Sequence, residues 1–222
     1  MIVRRINLYL VVFILSSFFA FSQHKQTDWE LKKCESGISI YTRYVSNSSF
    51  KELKSIAVVK TSLSGIIALI NDFSSYPQWV YKCGESKGLK EVNDTVSYHY
   101  QTVVAPWPVS SRDFVVKVIQ TQDPKTKVIT LDAYGEPTFI PEKKNFVRIQ
   151  HFKAVWVLVP LREGYVQVNY NLLVDPGGAA PAWLVNMAVV DGPFETMIGF
   201  KKMLMQDKYQ KAKYPFVKEL KD

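Results

Sequence analysis

Three histidines, two cysteines and one Arg-Asp pair are the residues of this chain whose types could do chemistry. A metal centre needs clustered ligands, and a nucleophilic site needs a nucleophile beside a base. His24, His99 and His151 lie far apart in sequence, outside any HExxH, HxE or GxSxG context. Cys34 and Cys83 form no CxxC motif and no Cys/His cluster, so the sequence carries no zinc signature. They are either free thiols or one bridge closing a loop of about 50 residues. Gly177-Gly178 lacks the Lys-Ser/Thr that follows a phosphate-cradling loop. Nothing here argues for catalysis, a metal or an organic cofactor.

Two other patterns point to binding. Arg112-Asp113 opens a β-branched run, and neighbours on a strand face opposite sides. One of the two is directed inward, and a buried Arg must be paired or hold an anionic or polar ligand. The second pattern is Met187, Met197, Met203 and Met205, all in one C-terminal segment. Methionine is flexible and polarizable and suits surfaces that meet variable apolar shapes. An ordinary amphipathic helix explains the same spacing.

These residues need elements to hold them. Asp28 to Lys32 reads as a short opening helix with Asp28 as its N-cap, ended by Gly37. Ile38–Val45 and Phe50–Thr61 read as an antiparallel pair of strands. Ser62 starts a helix whose apolar face is Ile66, Ile67, Leu69, Ile70 and Phe73, and Pro77 ends it. Strands follow at Thr95–Val104, Arg112–Thr121, Val128–Ala133, Phe146–Val159 and Tyr165–Asp175. The turn Asp175-Pro176-Gly177-Gly178 closes the strand run. Ala182 to about Lys213 has helical spacing, with Pro193 as a kink. The layout predicts an α+β fold, a mainly antiparallel sheet with helices on one face.

Composition bounds the rest. The chain has 222 residues, 47% of them apolar and 22% charged, which excludes disorder and a disulfide-stapled miniprotein. Arg4 and Arg5 precede an apolar run from Leu8 to Phe21, and Ala20-Phe21-Ser22 places small residues at the −3 and −1 positions before Gln23. This is the pattern of a signal peptide over residues 1–22, cleaved near Ser22-Gln23, which predicts a secreted or periplasmic protein. One domain then occupies residues 23–222. An exported chain makes nucleic acid an improbable partner for the net charge of +8. Seven lysines and three acids fall in Lys201–Asp222, so half of that charge sits on the C-terminal tail. There it is placed to meet anionic headgroups, with Lys208, Lys211 and Lys213 as the residues to neutralise.

Four stretches resemble the START domain family, the lipid-transfer domains related to the steroidogenic acute regulatory protein. They are DWELKKCESGISIYTR (Asp28–Arg43), FSSYPQWV (Phe73–Val80), WPVSSRDFV (Trp107–Val115) and DPGGAAPAWLVNMAV (Asp175–Val189). The resemblance covers Asp28 to about Leu204 and is similar in motifs to the phosphatidylcholine-transfer branch. It implies a helix-grip fold, a curved antiparallel sheet around a long C-terminal helix with an internal hydrophobic tunnel. It also implies no catalysis, a monomer, transient membrane contact and one lipid ligand: a phospholipid, a sterol-like molecule or a fatty acyl chain. Trp183, Met187, Phe194 and Met197 would supply apolar contacts, and Arg112, Tyr98, Tyr100 and His151 polar ones. Tyr134–Asn145 would be a mobile loop at the tunnel mouth. The sequence departs from the phosphatidylcholine branch at Pro77 and Val80, where an Arg and an acid flank the Tyr…Trp pair. It departs from the sterol branch at Tyr100, where a carboxylate follows the strand His. An enzyme of cyclase or hydratase type on the same fold would instead need His99 or His151 in the cavity beside a carboxylate. A filled core would favour a protein-interaction module.

Overall fold

The computed structural model describes residues 26–46, 48–178, 185 and 187–220. The predicted signal peptide, residues 1–22, lies outside them. Ten strands form one sheet: β1 (Glu30–Glu35), β2 (Ile38–Tyr44), β3 (Lys51–Lys60), β4 (Cys83–Asn93), β5 (Val96–Val103), β6 (Ser111–Gln122), β7 (Ile129–Gly135), β8 (Phe146–Arg148), β9 (His151–Pro160) and β10 (Tyr165–Asp175). Their order is β1-β2-β3-β10-β9-β7-β6-β5-β4, antiparallel throughout, while the short β8 runs parallel to β6. Helices α1 (Leu63–Asn71), α2 (Gly192–Leu204) and α3 (Asp207–Gln210) pack against it. This is the α+β helix-grip arrangement that the sequence predicts.

The opening helix is not there. Residues 30–35 are a strand, paired with β2 from Glu30↔Thr42 to Glu35↔Ile38. Ser36 and Gly37 both have positive φ, 53° and 71°, which makes the two-residue turn that matches the twist of a hairpin. Pairing with the β2 edge outweighs the weak N-cap signal of Asp28.

Helix α1 begins as predicted. The Ser62 hydroxyl accepts from the Gly65 N–H at 3.0 Å. A second cap comes from far away: the Glu219 carboxylate accepts from the N–H groups of Leu63 and Ser64, each at 2.9 Å. An anion at a helix N-terminus satisfies orphan donors and meets the positive end of the dipole. The helix ends at Asn71, and Pro77 lies in the following 3-10 turn, Phe73–Gln78.

The predicted long C-terminal helix is in pieces. Met187–Asp191 is a π turn, α2 follows, and the chain breaks at Met205 and Gln206 before α3. Pro193 stands at the start of α2 rather than kinking its middle, because its missing N–H and fixed φ suit a first turn. The buried face of α2 is Phe194, Met197, Phe200, Met203 and Leu204. Gly199 meets the 3-10 turn so closely that a Cβ there would stand 2.6 Å from the Trp79 carbonyl oxygen.

The basic tail is docked. Lys208 pairs with Asp72 at 2.8 Å, Lys211 pairs with Asp207, and Val217 is buried. The main chain of Lys218 exchanges two hydrogen bonds with the Gln122 amide. Cys34 and Cys83 are free thiols on the two edge strands β1 and β4.

Candidate functional site

β5 and β6 build the core of the site. They pair from Val96↔Ile119 to Val103↔Arg112, and their side chains alternate across the sheet. His99, Gln101 and Val103 of β5 share one face with Arg112, Phe114, Val116 and Val118 of β6, and all line one internal cavity. The six residue steps from Arg112 to Val118 give that wall a length of about 20 Å. Phe152, Ala154 and Trp156 of β9 continue it, as do Tyr170, Leu172 and Val174 of β10. Tyr76, Trp79 and Val80 close it from the 3-10 turn, and Gly192, Pro193 and Thr196 from the start of α2. The cavity measures about 210 Å³.

Its wall is apolar with a few polar atoms. Arg112 is 4% exposed, and it is the one ionised side chain among the described lining residues. Its guanidinium donates to the carbonyl of Ser110, to Pro176 at 3.2 Å and to Gly177 at 3.4 Å. Burial pulls its pKa below the ordinary value. His99 is also buried, and its ring stacks on Phe73 with centroids 4.5 Å apart. Its Nδ1 has no partner among the described residues. Burial holds its pKa down to about 3, so the ring is neutral near pH 7. The Tyr76 hydroxyl donates to the Ile70 carbonyl at 2.7 Å, and burial raises its pKa.

The opposite face of the same strands holds a separate buried network. Asp113 accepts from Arg148 Nε at 2.8 Å and Nη2 at 2.9 Å, and from the Tyr100 hydroxyl at 3.2 Å. Both charged side chains are 1% exposed. Removing one partner of such a pair costs about 3–5 kcal/mol, because the other stays buried and unpaired. Arg148 also donates to the carbonyls of Pro137, Ile140 and Pro141. The Tyr134–Asn145 stretch is thus wrapped around a guanidinium on the outside of the sheet. It lines no part of the cavity, contrary to its expected place at a tunnel mouth.

The predicted site residues divide accordingly. Arg112 lines the cavity, and the inward/outward split with Asp113 is as the strand reading requires. Tyr98 and Tyr100 face away from it: Tyr98 stacks on Phe139 at 4.3 Å, and Tyr100 joins the Asp113 network. His151 is exposed at the start of β9, because the inward positions there are 152, 154 and 156. Phe194 and Met197 are buried but absent from the cavity wall, and Lys33 Nζ lies 3.5 Å from the Phe194 ring centre. Helix α2 turns its small first-turn residues to the cavity and its large ones to the core. Trp183 and the side chain of Met187 lie outside the described residues. Of the two histidines, one of which an enzyme reading requires in the cavity, His99 lines it, without a carboxylate beside it among the described lining residues; Gln101, Trp156 and Tyr170 also line it and are not among the expected lipid contacts. The signal for His99 and Gln101 is cross-strand phase: they share the face of Arg112.

The START domain family model matches residues 18–208. An uncharacterized protein of Pseudomonas aeruginosa is 33% identical over 174 residues, 78% of this chain and 85% of that one. The phosphatidylcholine transfer protein of Bos taurus is 27% identical over 169 residues, 74% of this chain and 78% of that one. A solved STAR-related lipid transfer protein fragment from Xanthomonas axonopodis superposes with TM-score 0.74 at 34% identity, covering 80% of this chain and 99% of the fragment. Human StAR-related lipid transfer protein 5 shares the fold, with TM-score 0.68 at 17% identity over 79% of this chain and 86% of its own. The chain belongs to the START domain family.

Proposed function

We propose that this protein holds one amphipathic lipid in the cavity and carries it between membranes without altering it. The observation that carries the reading is a wall of aromatic and aliphatic side chains about 20 Å long with one charged group near its end. Apolar surface buried there stabilises a ligand by roughly 25 cal/mol per Å². Related proteins named for lipid and phosphatidylcholine transfer support it. A volume of about 210 Å³ suits one slender chain or a flat ring system rather than two chains side by side. An engineered cavity of about 150 Å³ already admits benzene.

The non-catalytic reading rests on His99. A general base needs a group to orient it and a proton within reach. His99 reaches the cavity, but no carboxylate is among the described lining residues. The leader-like residues 1–22 support export to the periplasm or the exterior, with cleavage near Ser22-Gln23. Native mass spectrometry of gently purified protein tests the whole reading. The expected spectrum shows one lipid per chain, recovered unchanged after incubation. A chain that carries no adduct and takes none from vesicles would overturn it.

A further inference from the structure

Among the described residues, Arg112 is a buried cation without an anion. Its three acceptors are main-chain carbonyls, of Ser110, Pro176 and Gly177. The adjacent acid, Asp113, is on the other side of the sheet and committed to Arg148. The Asp175 carboxylate accepts from the Gly177 N–H at 2.8 Å. Among the described residues, no ion pair involves Arg112, and no carboxylate lines the cavity. A guanidinium has five N–H donors, and three hydrogen bonds leave two, one on each terminal nitrogen. That fork is what a carboxylate or a phosphate accepts in bidentate fashion. The carbonyls hold the group in place, but they supply no charge to balance it.

We infer that the ligand of this cavity carries an anionic head, a carboxylate or a phosphate monoester, on a single slender apolar body, and that Arg112 is the group that docks the head. The inference rests on the lipid-binding reading above and adds selection by charge. A neutral head of the same size leaves the cation as unbalanced as before. An anionic head balances it inside an apolar wall, where screening by water is weakest. Two of the three carbonyls belong to the Pro176-Gly177 turn between β10 and α2, so the same guanidinium ties the head site to that connection.

The test compares delipidated full-length protein with four probes of equal chain length: a fatty acid, the matching fatty alcohol, a lysophosphatidic acid and a monoacylglycerol. The fatty acid or the lysophosphatidic acid should bind about 10- to 100-fold more tightly than its neutral counterpart. Whichever pair shows the larger ratio identifies carboxylate or phosphate as the preferred head. Arg112→Gln should bring the ratio close to one, chiefly by weakening the anionic probes, and a cooperative urea transition shows that the variant is folded. Arg112→Lys should keep part of the ratio. Equal binding of charged and neutral probes by the unmodified protein, or a ratio that survives Arg112→Gln, overturns the inference and leaves lipid binding standing. Failure of all four probes to bind overturns the inference, and the lipid-binding reading is then decided by the native mass spectrum.

Discussion

Arg112 and Asp113 are chain neighbours placed in opposite chemistries by a strand's two-residue period. One faces an apolar cavity, and the other completes a dry ion pair under a covering loop. His99 makes the residue-scale prediction. Its folded pKa of about 3 lies below the ordinary 6.5, so the unfolded chain binds more protons between those values. Stability from this residue is present above pH 6.5 and is lost as pH falls toward 3. At pH 5 the loss is about 2 kcal/mol. Urea unfolding at pH 7 and pH 5 should show His99→Phe losing about 2 kcal/mol less than the unmodified protein. Equal losses would mean that His99 is not held neutral by burial.

At the scale of elements, the packing of α2 on the 3-10 turn is set by one missing side chain. A methyl group at Gly199 would overlap the backbone of Trp79, which cannot swing aside as a flexible side chain would. Gly199→Ala should gain roughly 1 kcal/mol of helix propensity and lose more through overpacking. We expect a net destabilisation of about 1–2 kcal/mol in chemical denaturation; a variant as stable as the parent would refute the close approach. Such contacts also mark the limit of reading sequence. Strand alternation, the Ser62 cap and the Arg112/Asp113 split were legible, because each depends on residues a few positions apart. The β1 strand was not, since its edge pairing with β2 is tertiary and the only cue was Ser36-Gly37. The continuous strand expected over Phe146–Val159 divides because β6 is longer than its partner. β7 pairs with one half of β6, and β8 takes the other from Ser111↔Phe146 to Asp113↔Arg148. Phe194 and Met197 had the right periodicity, but periodicity cannot say which buried face meets a cavity and which a packed core.

For the whole molecule, the loop between β5 and β6 bears on how a lipid would enter. Trp107 at its tip is 92% exposed and Val104 is 47% exposed, next to cavity residues Val103 and Arg112. An exposed Trp beside prolines suits the membrane interface, where its ring is half apolar and half polar. Trp107→Ser should slow fluorescent-lipid transfer between vesicles several-fold while leaving the lipid content of the purified protein unchanged. An unchanged transfer rate would assign docking to another face, such as the lysine-bearing end of the chain. That end has a separate consequence. Glu219 caps the helix that begins at Leu63, and β3 enters the sheet by pairing with β10 at residues 165–172. Both closures join the first third of the chain to its last quarter, and such distant pairings form slowly. During synthesis the early hairpin must wait for its sheet partner until residues 165–172 have been made, and α1 for its distant cap until Glu219 has been made. The elements made first are therefore the last to be latched into the sheet.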